Sequence, residues 1–194
     1  MEKPQISFQD VSNVLAASFG IAPSKRQTFV SKVHHLKKFG LPQGVNTGRG
    51  KAAKYELWHI AEIALYLDIM DAGLVPSMIA EQFSETPFYS IGGMGRFVED
   101  RSDPRPYFGV FRLNALDYLR KANGDSDRPT VFDSQLGLGR DLSSLISGDN
   151  QRPLIMINMT SRMDSLKEAI SECVPALAGI PFFDEDGFPI GTRD

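Results

Sequence analysis

Apolar residues recur at helical spacing from Phe8 through Val11, Val14 and Leu15, which predicts a first helix. Ser7, with Asp10 three positions on, has the pattern of a capping box at its start. Phe19-Gly20-Ile21 places a glycine where that helix should stop. The turn Gly20-Ile21-Ala22-Pro23 leads to a second cap at Ser24, with Gln27 at the third position. A second helix follows to about Phe39, on a stripe of Phe29, Val33 and Leu36 with Val30 beside it. Gly40-Leu41-Pro42 ends it.

The segment from Gln43 to Tyr55 loses this periodicity. It holds three glycines and the cations Arg49, Lys51 and Lys54, and Asn46-Thr47-Gly48 suits a hairpin tip, so a short two-stranded wing is expected. From Glu56 to about Ala72 the apolar positions go nearly all the way round a helix. A helix of that kind must be buried on two sides, against its own domain and against something else. Gly73 closes it, and a short helix over Pro76 to Phe83 carries its proline at an early, tolerated position.

Beyond residue 84 the pattern loosens. Residues 85–106, with Gly92-Gly93-Met94-Gly95, read as a loop-rich connector, and no Lys-Ser/Thr follows in the register of a phosphate-binding loop. Tyr107 to Phe111 reads as a strand and Asn114 to about Lys121 as a short helix. Residues 125–152 are polar and turn-rich and receive no assignment. Pro153 to Met159 is the clearest strand, a helix from about Ser161 to Cys173 follows, and the tail from Pro181 is mostly loop. The expected fold class is α+β: a winged helix-turn-helix domain over residues 1–84, the connector, and a smaller α/β domain over residues 107–194 for effector binding or dimerisation.

Net charge changes the picture only once it is divided along the chain. Residues 1–60 hold nine Lys/Arg against three Asp/Glu, a balance of +6, so the remaining twelve against twenty-one leave −9 for residues 61–194. Between Val11 and Tyr55 there is no acidic residue. A one-signed surface of this kind is repaid by phosphates through counterion release, which points to duplex DNA. The single Cys173 fits a reducing compartment and excludes an internal disulfide framework. The start MEKPQISFQD lacks the apolar core of a secretory signal, and no run approaches the ~18 apolar residues of a membrane span. A cytoplasmic, nucleoid-associated protein away from membranes is expected.

Two short helices joined by a tight glycine-containing turn, the second one basic, make a helix-turn-helix arrangement, so residues 24–39 are expected in the major groove. Ser24, Lys25, Arg26, Thr28, Ser31, Lys32 and His35 are its candidate groove residues. Arg26 is favoured for guanine because its fork matches O6 and N7. Lys37, Lys38, Arg49, Lys51, Lys54 and Tyr55 are expected on the backbone, which positions without specifying. His34 and His35 diverge by about 100° on a helix, so no shared metal is expected from them. Trp58 is expected in the core, the Asn158 to Arg162 junction as a helix cap, and Asp184-Glu185-Asp186 as an exposed acidic turn.

The order of parts resembles the MerR-like winged-helix family over about residues 6–83, most closely in Leu36-Lys37-Lys38-Phe39-Gly40-Leu41-Pro42 and in Gly73-Leu74 before a short helix. The resemblance implies a second helix in the major groove, a wing on the backbone and a dimeric transcriptional regulator, with transcription machinery or a small-molecule effector as further partners. Two departures stand out: no long dimerisation helix follows residue 84, and one cysteine cannot rebuild the family's metal-sensing site. No nucleophile–base set, metal-ligand spacing or cofactor fingerprint is legible, so neither an enzyme nor a metal or cofactor is expected. Two alternatives stay open: a phage-type architectural, excisionase or packaging factor, and a small-molecule-binding module in residues 85–194 with the basic segment incidental.

Overall fold

The computed structural model describes residues 6–45, 53–83, 106–113, 132–138, 153–184 and 189–190, with 143 and 147 as isolated positions. The described chain is mixed α+β. Helix α1 spans Phe8–Ser18 and opens on the expected capping box: the Asp10 N–H donates to Ser7 Oγ at 3.2 Å, and the Ser7 N–H donates to the Asp10 carboxylate at 3.0 Å. Gly20 ends the turn at φ +60, where its missing Cβ removes the left-handed penalty.

Helix α2 spans Arg26–Lys38, and here the expectation needs correcting. Ser24 does not cap it. Pro23–Lys25 forms a 3-10 turn closed by the Lys25 N–H on the Ala22 carbonyl at 2.8 Å, so Ser24 lies inside that turn and Lys25 takes the cap position. The expected stripe of Phe29, Val33 and Leu36 is buried.

Helix α3, Leu57–Asp71, buries all but Asp68, Met70 and Asp71, as a helix apolar around its circumference requires. Its neighbours are α1, helix α4 (Pro76–Phe83) and a helix from the far end of the chain. Gly73, at φ +104, makes the turn into α4. Trp58 sits in the core and donates its indole N–H to Glu56 Oε2 at 2.7 Å.

Three strands form an antiparallel sheet in the order β2-β1-β3. β1 (Tyr107–Leu113) lies between β2 (Phe132–Leu138) and β3 (Leu154–Asn158). β2 falls in the stretch that sequence left unassigned. β3 runs straight into α5 (Met159–Cys173), which starts two residues earlier than expected because Asn158 caps it, accepting the Ser161 N–H at 3.0 Å. Thr160 instead accepts the Tyr107 N–H at 2.9 Å, tying the helix start to β1.

α5 buries Met159, Met163, Leu166, Ala169 and Ile170 as one stripe, and α1 is the helix it packs against most extensively. Leu177, Phe182 and Phe183 join the same cluster as Val11, Leu15, Ile60 and Leu65. A buried core therefore runs from α1 to the C-terminal helix. The expected helix over 114–121, the connector over 85–105 and the acid pair Glu185-Asp186 lie outside the described residues. No described helix is long and apolar enough to cross a membrane.

Candidate nucleic-acid interface

The polar residues of α2 distribute around its buried stripe in a definite way. At about 100° per residue, Gln27, Ser31 and Lys38 stand opposite Phe29, Val33 and Leu36. Thr28 and Lys32 lie on one flank together with Lys25 of the preceding turn, whereas Arg26 and Lys37 lie on the other. Ser24, Lys25, Arg26, Gln27, Thr28, Ser31, Lys32, His35 and Lys38 are all exposed. The Ser31 hydroxyl donates to the Gln27 carbonyl at 3.0 Å, which leaves its lone pairs facing outward.

Gln27 takes no part in a cap, since Lys25 holds the cap position of α2. Its exposed amide stands at the outward pole, and an amide of this kind suits adenine. Arg26 remains exposed, but its charge acts on the Cys173 thiol, which burial and Glu172 push upward and Arg26 pulls back. The start of α2 is thus within electrostatic reach of the end of α5.

One expected backbone contact, Tyr55, belongs in the core, and a second, Lys37, also packs on α1. Tyr55 is 2% exposed; its N–H pairs with the Ile6 carbonyl at 3.3 Å, and burial raises its phenol to about 12. A buried ring cannot meet a phosphate, so Tyr55 is a packing residue. Lys37 is half-buried, with Nζ 4.8 Å from the Phe8 ring centroid and 5.8 Å from that of Tyr55. That cation–π contact ties α2 to the start of α1. Lys54 is exposed. Arg49, Lys51 and the hairpin tip lie outside the described residues, which take in the wing segment only at 43–45 and 53–55. His34 packs on Phe8 with tilted rings, centroids 4.3 Å apart, and His35 packs on Phe39 at 5.4 Å, so the two histidines do diverge.

The chain that leaves α2 toward this segment is latched onto α3 and α4. Gln43 donates its backbone N–H to Glu62 at 3.5 Å and its side-chain amide to the Phe83 carbonyl. Glu62 is fully buried and accepts the Tyr66 hydroxyl at 2.5 Å, while its other oxygen finds no partner among the described residues. Burial lifts its carboxyl from 4.5 to about 7, with the Tyr66 and Gln43 hydrogen bonds pulling back. One turn earlier, burial lowers His59 from 6.5 to about 4, opposed by its bond to the Gln43 backbone. His59 Nδ1 accepts the Glu56 N–H at 2.9 Å, which suits a neutral ring.

These two groups act on stability in opposite directions. Between about pH 4.5 and 7 the folded chain holds a proton on Glu62 that the unfolded chain has released, so stability falls as pH rises. Between about pH 4 and 6.5 the unfolded chain binds a proton that folded His59 refuses, so stability rises with pH. Each slope amounts to about 3 kcal/mol in all, and in the native chain they largely cancel. Denaturant melts across this range should therefore show Glu62→Gln gaining stability with pH relative to the native chain, and His59→Gln losing it. Parallel profiles for all three proteins would remove this account of the latch.

Comparison with protein-family models and with curated proteins finds no match to this chain.

Proposed function

We propose that the chain is a sequence-specific, dimeric DNA-binding transcriptional regulator of the MerR-like winged-helix kind. In this reading α1 and α2 form the helix-turn-helix, and α2 enters the major groove. The segment over 43–55 serves as a wing on the phosphate backbone. The observation that carries the reading is the outer face of α2 and its preceding turn: four exposed cations, Lys25, Arg26, Lys32 and Lys38, around the short polar groups Gln27, Thr28 and Ser31, in a stretch without a carboxylate. Cations supply the salt-dependent part of affinity and the polar groups reach base edges. Gln27 and Ser31 take the central reading position. Arg26 reads from the α5 side, while Lys32, Lys38 and Lys54 hold phosphates.

The test uses the full chain, because α5 closes the core that α1 and α3 share. Binding to duplex DNA should weaken steeply between low and physiological salt. Lys38→Ala should weaken all sites alike and reduce the slope of log affinity against log salt by about 0.9. Gln27→Ala should instead narrow the gap between preferred and other sequences, by about 1–3 kcal/mol for one base contact. Salt-sensitive binding with no sequence preference would identify an architectural factor instead, and no salt-sensitive binding would reject DNA as the partner.

A further inference from the structure

We propose that the groove between the start of α2 and the end of α3 binds a small amphipathic organic anion, an aromatic or aliphatic carboxylate, as an effector of this chain. The groove has a volume of about 380 Å³, within the range of small-molecule sites. Its floor is apolar, with Phe19, Ile21 and Phe29 on one side and Leu67 and Met70 of α3 on the other. The floor is also preformed. The Arg162 guanidinium lies over the Phe19 ring at 3.8 Å, and Phe19 tilts against Phe29 with centroids 5.9 Å apart. A rigid aromatic floor reduces the ordering cost of binding.

The rim gives the groove its polarity. Lys25, Thr28 and Lys32 recur at i, i+3 and i+7 along one wall, all exposed, and among the described residues neither lysine is ion-paired. Two ammonium groups and a hydroxyl over an apolar floor complement a carboxylate head on a hydrophobic body. Asp71, on the facing wall, repels the head and so directs it toward α2, leaving the tail over Leu67 and Met70. Lys25, Thr28 and Lys32 also belong to the proposed DNA-facing set. On that reading, an occupied groove and bound DNA compete for the same cations, which would make the site an off-switch.

The test is a titration of 4-phenylbutyrate into the full chain without DNA, followed by calorimetry and by the methyl NMR signal of Met70. Its alcohol and amine analogues serve as controls. Saturable binding that perturbs Met70 is expected, with both analogues about tenfold weaker, the value of one charge-assisted contact. The pair Lys25→Met with Lys32→Met, at exposed positions that leave the thermal melt unchanged, should lose binding by a similar factor. Asp71→Asn should strengthen carboxylate binding. Absence of saturation, equal binding of the alcohol, or binding that survives the lysine replacements would overturn the site. Because no DNA is present, this result is independent of the regulator reading. Displacement of DNA by 4-phenylbutyrate is measured separately, and its absence with the groove occupied would overturn the competition alone.

Discussion

Ending the chain at residue 84 is expected to unfold the N-terminal helices and not to release a working fragment. α5 contributes Met159, Met163, Leu166, Ala169 and Ile170 to the core shared with α1 and α3, and Phe182 and Phe183 close the same cluster. At about 1.5–3 kcal/mol for each large apolar side chain returned to water, the loss is on the order of 10 kcal/mol. That equals the whole stability of an ordinary domain. Circular dichroism of the 1–84 fragment should show weak helicity and no cooperative melt. A milder variant tests the same packing in the full chain: Leu166→Ala, at a fully buried position, should cost about 2–5 kcal/mol in denaturant unfolding. A native-like melt for the fragment, or a cost below about 1 kcal/mol for Leu166→Ala, would show that α1 and α3 hold together without α5.

The second large effect is expected at Arg162, which joins three elements. Its guanidinium grips Asp68 of α3 through two bonds, Nε to Oδ2 at 2.8 Å and Nη2 to Oδ1 at 2.5 Å. Nη1 reaches the Ser18 carbonyl and hydroxyl at the end of α1, both at 3.4 Å, and the plane covers Phe19. Arg162→Ala would leave Asp68, 15% exposed, without its counter-charge. Removing one partner of a fully buried pair costs about 3–5 kcal/mol, and this part-buried pair should lose about 2–3 kcal/mol.

The Asp68 carboxyl is raised even with Arg162 in place, because burial outweighs the attraction of the guanidinium and Asp71 adds to the rise. The pair therefore positions α5 more than it stabilises the fold. Replacing both partners with apolar groups, Arg162→Met with Asp68→Leu, should recover most of the lost stability. Equilibrium unfolding of the two single variants and the double variant measures this directly. Single-variant costs under about 1 kcal/mol, or costs that simply add in the double, would reject the coupling.

The contrast between these effects and the legible motifs shows where sequence reasoning reached. Ser7 with Asp10, Gly20, Gly73 and Pro76 each announced an element, because caps and turns are settled within three or four residues. The periodicity of α2 and α3 named their buried stripes for the same reason. Ser24 misled because a hydroxyl before a basic helix looks like a cap, yet Pro23 favoured a 3-10 turn that swallowed it. Tyr55 misled because an aromatic at the end of a basic segment looks like a contact, whereas its ring fills the space beside Phe8 and His59.

By itself the sequence determined the α+β class, the helices of the first 83 residues and the strong basic bias of residues 11–55, since periodicity, capping and charge are local properties. Only the tertiary structure decided that α5 completes the core of α1 and α3, that Arg162 meets Asp68 across 94 residues, and that Lys25, Thr28 and Lys32 stand over an apolar groove. Those depend on which surfaces meet when the chain is packed. No spacing in the sequence records that, because the free energy of burial follows contact in space and not distance along the chain.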